Sequence, residues 1–207
     1  MARIYIELSG PLTPPPSTGL EGMLDWRIAV TDTTLRDGQQ GWRPLRVGEA
    51  LEIYRLLAEI DRGGVIESVE VFPYTSRDRV VARLLRDEPA GPRVVGWVRA
   101  RLEDLRLVKS LGLEETVILA SVSDYHIHYK LGISRERALE GYLKVLREAY
   151  RLGLNVRLAL EDVTRSDVEG FVSKLLEGAL RLSEREGLDL RVKLSDTLGL
   201  GIPLPQA

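Results

Sequence analysis

The sequence predicts an α/β fold of parallel strands, because short apolar runs alternate regularly with segments that have helical spacing. Six runs rich in Val and Ile occur at Ile28–Val30, Val65–Phe72, Val94–Val98, Thr116–Ser121, Val156–Leu160 and Leu190–Leu194. Runs of this length indicate strands buried on both faces. Repeated strand–helix alternation implies parallel strands joined by right-handed crossovers. An open doubly wound sheet and a (β/α) barrel fit this pattern equally well.

The positions of the polar residues favour the barrel. Polar and charged residues follow the C-terminal ends of four predicted strands, at residues 31–37, 121–128, 161–162 and 195–197. A doubly wound sheet gathers its ligand groups near one switch point, whereas a barrel collects them from many strand ends around one mouth. We therefore expect a (β/α)8 TIM-barrel type of fold, of which this chain holds the first six βα units.

The segments between the runs have the signals of helices. Apolar residues recur at helical spacing within residues 50–60, 139–150 and 171–182. Ser134 is a predicted N-cap, and Ser166 with Glu169 forms a predicted capping box. Glycines at 112, 153 and 187 stand where helices end in a left-handed residue.

Composition excludes several classes of protein. The 207 residues are 44 % hydrophobic and 29 % charged with a net charge of −2, which is typical of a globular domain without a nucleic-acid footprint. No apolar run approaches the length of a membrane-spanning helix, and no secretory signal is recognisable. The chain has no cysteine, which excludes disulfides and zinc–thiolate sites. We expect a cytoplasmic protein. The single Asn, the three Gln and the lack of Cys favour a thermophilic source, whereas the excess of Arg over Lys can equally reflect genome composition.

The chain divides at about residue 26. Residues 1–26 are predicted to be a Pro-rich leader, loosely attached, in which residues 3–8 alternate like a short strand. Residues 27–207 are predicted to form the partial barrel domain. A six-unit parallel sheet would leave its first and last strands unpaired, which is an aggregation liability unless another chain covers them.

The stretch after the first strand, Thr31-Asp32-Thr33-Thr34-Leu35-Arg36-Asp37-Gly38-Gln39-Gln40, carries the most chemical information. Arg36 is a permanent cation with a bidentate fork, suited to stabilising an enolate or a polarised carbonyl oxygen. Asp37 is a hard oxygen ligand for a divalent ion such as Mg²⁺ or Mn²⁺. An adjacent Arg–Asp pair can also be a surface ion pair of little energetic value.

This stretch resembles the D-x-T-L-R-D-G-x-Q signature of the DRE-TIM metallolyases, which include 2-isopropylmalate, homocitrate and Re-citrate synthases and hydroxymethylglutaryl-CoA lyase. Three further motifs agree in order: Ser123-Asp124-Tyr125-His126 with Lys130-Leu131-Gly132, Glu161-Asp162-Val163-Thr164-Arg165-Ser166-Asp167, and Asp196-Thr197-Leu198-Gly199. The segment Val69-Glu70-Val71-Phe72-Pro73 departs from the family, since it lacks the glycine of E-x-G-F-P.

Candidate roles follow for the remaining site residues. Glu161 ends an apolar strand, so that enclosure could tune its pKa for acid–base work; alternatively it is a loop acid. The resemblance implies an active-site role for His126 and substrate contacts for Thr197 and Gln40, although Thr197 could be an ordinary turn residue. His126 and His128 would share a face, and could bind a metal, if their segment were a strand.

The resemblance implies a Claisen-type condensation. A divalent metal (Mg, Mn or Zn) would anchor a 2-oxo acid, a base would remove a methyl proton from acetyl-CoA, and Arg36 would stabilise the developing charge before the thioester is hydrolysed. A homodimer is implied in the same way. The family's H-x-H metal ligands of the seventh strand are absent from these residues. Two alternatives therefore stay open: the reverse reaction, a hydroxyacyl-CoA lyase, and a truncated, non-catalytic half-barrel that binds a partner chain.

Overall fold

A computed structural model describes residues 29–61 and 64–201. The predicted leader, including its short strand, lies outside the described residues. Within them the strands are β1 (Val30–Asp32), β2 (Ile66–Val71), β3 (Arg93–Arg99), β4 (Glu115–Ser121), β5 (Asn155–Glu161) and β6 (Leu190–Ser195). All six predicted strands are confirmed, and the first runs two residues further than expected.

Five α-helices lie between these strands: α1 (Val47–Ile60), α2 (Ser76–Arg86), α3 (Leu102–Ser110), α4 (Arg135–Arg151) and α5 (Ser173–Glu186). Short 3₁₀ helices span Asp37–Gln39 and Val163–Arg165, and π-helical turns span His126–Lys130 and Val168–Val172. No helix of the described ranges is both long and apolar enough to cross a membrane.

The sheet follows the chain order β1-β2-β3-β4-β5-β6, and every described pair is parallel. A doubly wound sheet requires a reversal in strand order, and this order has none. Right-handed crossovers in one direction place every helix on the same face and leave the other face to line a barrel interior. The structure is a partial TIM barrel, as predicted.

Strand residues divide between the two faces by strict alternation. Val156, Leu158 and Leu160 of β5 join the main core beneath the helices. On the concave face, Val95, Val117 and Ala159 form a separate small apolar cluster. Because both faces are covered, β4 is buried along nearly its whole length, which explains its continuous apolar run.

Side chains that cross the concave face show how strongly the sheet curls. The buried Arg157 of β5 donates to Thr31 of β1 at 2.7 Å and to Ser68 of β2 at 2.8 Å. Its Nε donates to Glu115 of β4 at 2.6 Å. A guanidinium can reach strands three and four places away only when the sheet closes on itself, so β1 and β2 lie opposite β5 as in a barrel.

Helix caps agree with the sequence signals except in one place. Ser134 caps α4 by accepting from the backbone of Arg137. The capping box predicted at Ser166 and Glu169 is wrong by one residue: Asp167 accepts from the backbone of Gly170 at 2.8 Å, and Ser166 donates to the Val163 carbonyl instead. Asp is as good an N-cap as Ser, and Asp167 has the extended backbone that a cap requires.

Candidate active site

The residues predicted to form a site lie at one edge of the sheet. Arg36 and Asp37 follow β1, His126 follows β4, Glu161 is the last residue of β5, and Thr197 follows β6. All are at C-terminal strand ends, which is the edge where barrel enzymes carry their active sites. Gln40 directly follows the 3₁₀ helix of the first loop, as its C-cap, and is exposed.

Arg36 is held on three sides. Its Nε donates to Glu70 Oε2 at 2.9 Å, and its Nη1 donates to Asp37 Oδ1 at 2.9 Å. The guanidinium lies over the ring of Trp97, 5.2 Å from the centroid. Because the side chain is only 12 % exposed, these contacts fix its direction. They favour the site interpretation of the Arg–Asp pair over a loose surface ion pair.

Gln39 fixes the loop that carries Arg36. Its amide nitrogen donates to the Leu35 carbonyl at 2.5 Å, and its carbonyl accepts from the backbone of Leu45 at 2.8 Å. Leu35 is buried in the main core. Gln39, the first glutamine of the motif, therefore has a structural task that differs from the substrate contact predicted for Gln40.

Glu70 was not predicted as a site residue. It is fully buried on β2, and its second oxygen accepts from Lys193 of β6 at 3.1 Å. A buried carboxylate needs partners of opposite charge, and these are supplied by Arg36 from the loop after β1 and by Lys193 from within β6. The sequence feature that could have indicated a role for Glu70 is an acidic residue between two valines of a predicted buried strand.

Glu161 is the centre of a second group of polar side chains. Lys130 Nζ lies 2.8 and 2.7 Å from its two oxygens, and the Ser121 hydroxyl donates to Oε2. Burial alone raises the pKa of the Glu161 carboxyl, but the hydrogen bonds from Lys130 and Ser121 outweigh it and bring the pKa below its usual range. Lys130 belongs to the motif that also contains His126, but the motif predicts no role for it, and the sequence does not mark Ser121 as a site residue.

His126 lies between two carboxylates. Its Nδ1 is 3.3 Å from Glu161 Oε2, and its Nε2 is 3.8 Å from Asp162 Oδ2. Nδ1 is buried and makes no hydrogen bond within the described residues, so its contact with Glu161 is one of proximity. An imidazole nitrogen can either donate or accept a proton, and this one lies beside a carboxylate.

Asp162 has the only left-handed backbone among the described non-glycine residues, with φ at 63°. Its buried carboxylate accepts from Ser123 at 2.5 Å and from Arg165 at 2.6 Å. The Arg165 hydrogen bonds, with help from Ser123 and against the effect of burial, hold the pKa of Asp162 below its usual range. Asp tolerates this conformation better than most residues, but the strain still costs about 1 kcal/mol.

Thr197 contributes to that conformation. Its hydroxyl accepts from the backbone N–H of Asp162 at 2.8 Å. A hydroxyl that accepts one hydrogen bond keeps its own proton to donate. The contact with a substrate carboxylate stays a prediction, and the structure adds a second task that sequence patterns did not indicate.

The metal prediction has one candidate ligand. The Asp37 side chain is 55 % exposed and is bonded to Arg36. Across residues 29–61 and 64–201, no three His, Cys, Asp or Glu side chains are grouped so that they could hold a metal ion. A metal pair of His126 and His128 would require a strand, which would put both imidazoles on one face. Their segment is a π-helical turn, so this condition is not met. The described donor set does not fit a resident metal.

Comparison with known proteins identifies the family. The sequence pattern of the HMGL-like family matches residues 27–206. The chain belongs to the HMGL-like family. This result confirms the resemblance carried by the four motifs.

The curated relatives of this HMGL-like chain are synthases. It is 40 % identical over 182 residues to a citrate (Re)-synthase of Syntrophus aciditrophicus, covering 87 % of this chain and 29 % of that protein. It is 41 % identical over 178 residues to a citrate (Re)-synthase of Clostridium kluyveri, covering 85 % and 39 %. A 2-phosphinomethylmalate synthase of Streptomyces hygroscopicus is 39 % identical over 194 residues, covering 88 % and 44 %. The chain thus spans less than half the length of these relatives.

Similar solved structures support the fold. Hydroxymethylglutaryl-CoA lyase from Pseudomonas aeruginosa superposes with a TM-score of 0.63 at 20 % identity, covering 84 % of this chain and 59 % of the other. An HMG-CoA lyase from Brucella melitensis gives 0.62 at 18 % identity, with 84 % and 63 % covered. At these identities the likeness concerns the barrel architecture alone.

Proposed function

We propose that this chain carries the enolate-forming part of an active site that condenses an acyl-CoA with a 2-oxo acid. The observation that carries the proposal is the placement of two groups at one sheet edge: the fixed guanidinium of Arg36, and the Glu161–His126 pair. Strand β6 connects the two groups. Its Lys193 contacts Glu70, which also binds Arg36, and its Ser195 is in register with Glu161. Synthase relatives near 40 % identity support the direction of the reaction.

Each site residue has its own part in the proposed reaction. The Glu161 carboxylate takes a proton from the methyl group of acetyl-CoA, which breaks the C–H bond and leaves its electron pair as an enolate. Arg36 stabilises the enolate oxygen, and the fixed guanidinium needs no reorganisation when the charge forms. The enolate carbon then bonds to the keto carbon of the 2-oxo acid, the C=O π bond breaks, and the resulting alkoxide takes up the proton that Glu161 and His126 hold. Water then adds to the thioester carbonyl and the C–S bond breaks, which releases CoA and leaves a carboxylate.

A divalent metal, if bound, would polarise the keto oxygen of the 2-oxo acid. Asp37 is the residue predicted to contact it, and no step above is assigned to the ion, since the described residues bring no further ligands to Asp37. The homodimer, the cytoplasmic location and the thermophilic source stay predictions from the sequence.

Thiol release from acetyl-CoA tests the proposal. The 207-residue chain is incubated with acetyl-CoA, Mg²⁺ or Mn²⁺, and each of a panel of 2-oxo acids. We expect acid-dependent release that Arg36→Gln lowers by about 100-fold, as for removal of one oxyanion donor. Arg181→Gln, which removes a guanidinium that is 77 % exposed on α5, is the matched control and should leave the rate unchanged.

The other outcomes separate the alternatives. Absence of thiol release with every acid would refute the synthase proposal. Formation of acetyl-CoA from a hydroxyacyl-CoA would instead show the lyase reaction. A chain that binds neither a metal nor a 2-oxo acid would be a non-catalytic half-barrel.

A further inference from the structure

We propose that Lys130 exchanges between Glu161 and the carboxylate of a bound 2-oxo acid, and that this exchange frees Glu161 to accept a proton. The inference rests on the proposed function and adds a step to it: substrate binding itself switches on the base. It assigns to Lys130 a substrate contact that the sequence motif does not imply.

The first reason is that Glu161 is a poor base in the conformation described. Both of its oxygens accept from Lys130, and Oε2 also accepts from Ser121. A carboxylate whose lone pairs face an ammonium ion and a hydroxyl has little affinity for a further proton. Removal of a methyl proton therefore requires that one of these donors leaves.

The second reason is that Lys130 is the donor able to leave. Its side chain is 46 % exposed, whereas Ser121 is buried on β4. A lysine ammonium on a four-carbon stem moves without displacing the backbone. Lys130 is also the last residue of the π-helical turn, and exposed Leu131 and the left-handed Gly132 follow it.

The third reason is the geometry of that turn. His126 and Lys130 are its first and last residues, and both approach the same carboxylate, at 3.3 Å and 2.7 Å. π-helical turns are rare and are frequently found at functional sites. The turn thus brings a proton carrier and a cation to one base.

The fourth reason is the charge around Glu161. The groups beside the Glu161 carboxylate are Ser121 of β4, and Lys130 and His126 of the π-helical turn. Tyr142 of α4 is also near, and burial raises its pKa to about 12. The neighbouring Asp162 is already neutralised by Arg165. Lys130 is therefore the cation beside Glu161 that a substrate carboxylate can reach from solvent.

Isothermal titration calorimetry of the full chain tests the exchange without requiring turnover. Pyruvate, oxaloacetate and 2-oxoglutarate are titrated singly at pH 5.5 and pH 8, each in two buffers of different ionisation heat that contain no carboxylic acid. At pH 5.5 we expect uptake of a measurable fraction of a proton per acid bound, because the pKa of the Glu161 carboxyl rises when Lys130 leaves it, and almost none at pH 8.

Three variants make the test specific. Lys130→Gln should bind the acid roughly tenfold more weakly and lose the proton uptake, because Glu161 is then released beforehand. Lys130→Arg keeps the cation and should retain the uptake, which excludes an effect of disturbed folding. Lys174→Gln removes an exposed lysine of α5 and should behave as the unmodified chain.

The results separate the two proposals. Binding with no proton uptake, or with equal uptake in Lys130→Gln, would overturn the exchange and leave the proposed function standing. Failure of every 2-oxo acid to bind would overturn the proposed function and the exchange with it.

Discussion

Replacing Ser123 by alanine should destabilise the chain by about 2 kcal/mol at neutral pH. The Ser123 hydroxyl is buried and donates to the buried carboxylate of Asp162 at 2.5 Å. Hydrogen bonds to charged groups contribute about 1.5–3 kcal/mol. Ser123 Oγ also accepts from the backbone of His126 at 3.2 Å, and the variant would lose that partner as well.

The pH dependence gives the prediction a second, independent check. The pKa of Asp162 is below its usual range, and Ser123 contributes to the lowering. A depressed carboxyl pKa stabilises the fold above the unfolded-state pKa, and this stabilisation is lost as the pH falls through the folded-state value. The difference between Ser123→Ala and the parent chain should therefore be greatest near pH 7 and shrink toward pH 3.

Urea unfolding followed by circular dichroism measures both quantities, and thermal unfolding should show a decrease in Tm of about 4–8 °C. Ser110→Ala is the matched control, because Ser110 is exposed and donates only to a carbonyl of its own helix. We expect it to change stability by less than about 0.5 kcal/mol. A loss below about 0.5 kcal/mol for Ser123→Ala, or a difference that does not shrink at all between pH 7 and pH 3, would refute the role assigned to the Asp162 charge.

Two further substitutions test other contacts. Thr197→Val should lower the free energy of unfolding, measured in urea, by about 1–2 kcal/mol, because the buried N–H of Asp162 loses its acceptor. Thr197→Ser keeps the hydroxyl and should stay near the parent chain. Equal stability of the two variants would contradict this assignment. Gly96→Ala should lower the free energy of unfolding by about 1–3 kcal/mol, because the added Cβ would lie 3.0 Å from Val108 Cγ2 of α3. An unchanged Tm would contradict this and show that α3 shifts freely.

Several features of the site could be predicted from the sequence because they depend on local order along the chain. Arg36 and Asp37 follow a strand, and Glu161 ends one, so that parallel pairing alone brings them to the same edge. His126 was found through its motif. Glu70, Trp97 and the role of Lys130 were missed, because their chemical meaning depends on which residues they contact across the sheet.

One alternative left open by the sequence shows why local patterns fail at the site. The metal pair at His126 and His128 was conditional on an extended segment. The observed π-helical turn instead brings His126 and Lys130 to Glu161. Alternation alone cannot choose between these conformations, since the choice depends on the buried Ile127 and on contacts from β5.

The sequence by itself determined the six strands, their parallel pairing and the edge of the sheet that carries the polar residues, because hydrophobic periodicity and strand length depend on neighbours in the chain. Only the tertiary structure decided which charges meet. The curl of the sheet brings Lys193 to Glu70, and the register of β4 with β5 places Ser121 beside Glu161. The left-handed Asp162 is likewise held by Thr197 from another strand end. Such contacts join residues tens of positions apart, and their distances follow from packing of the whole sheet.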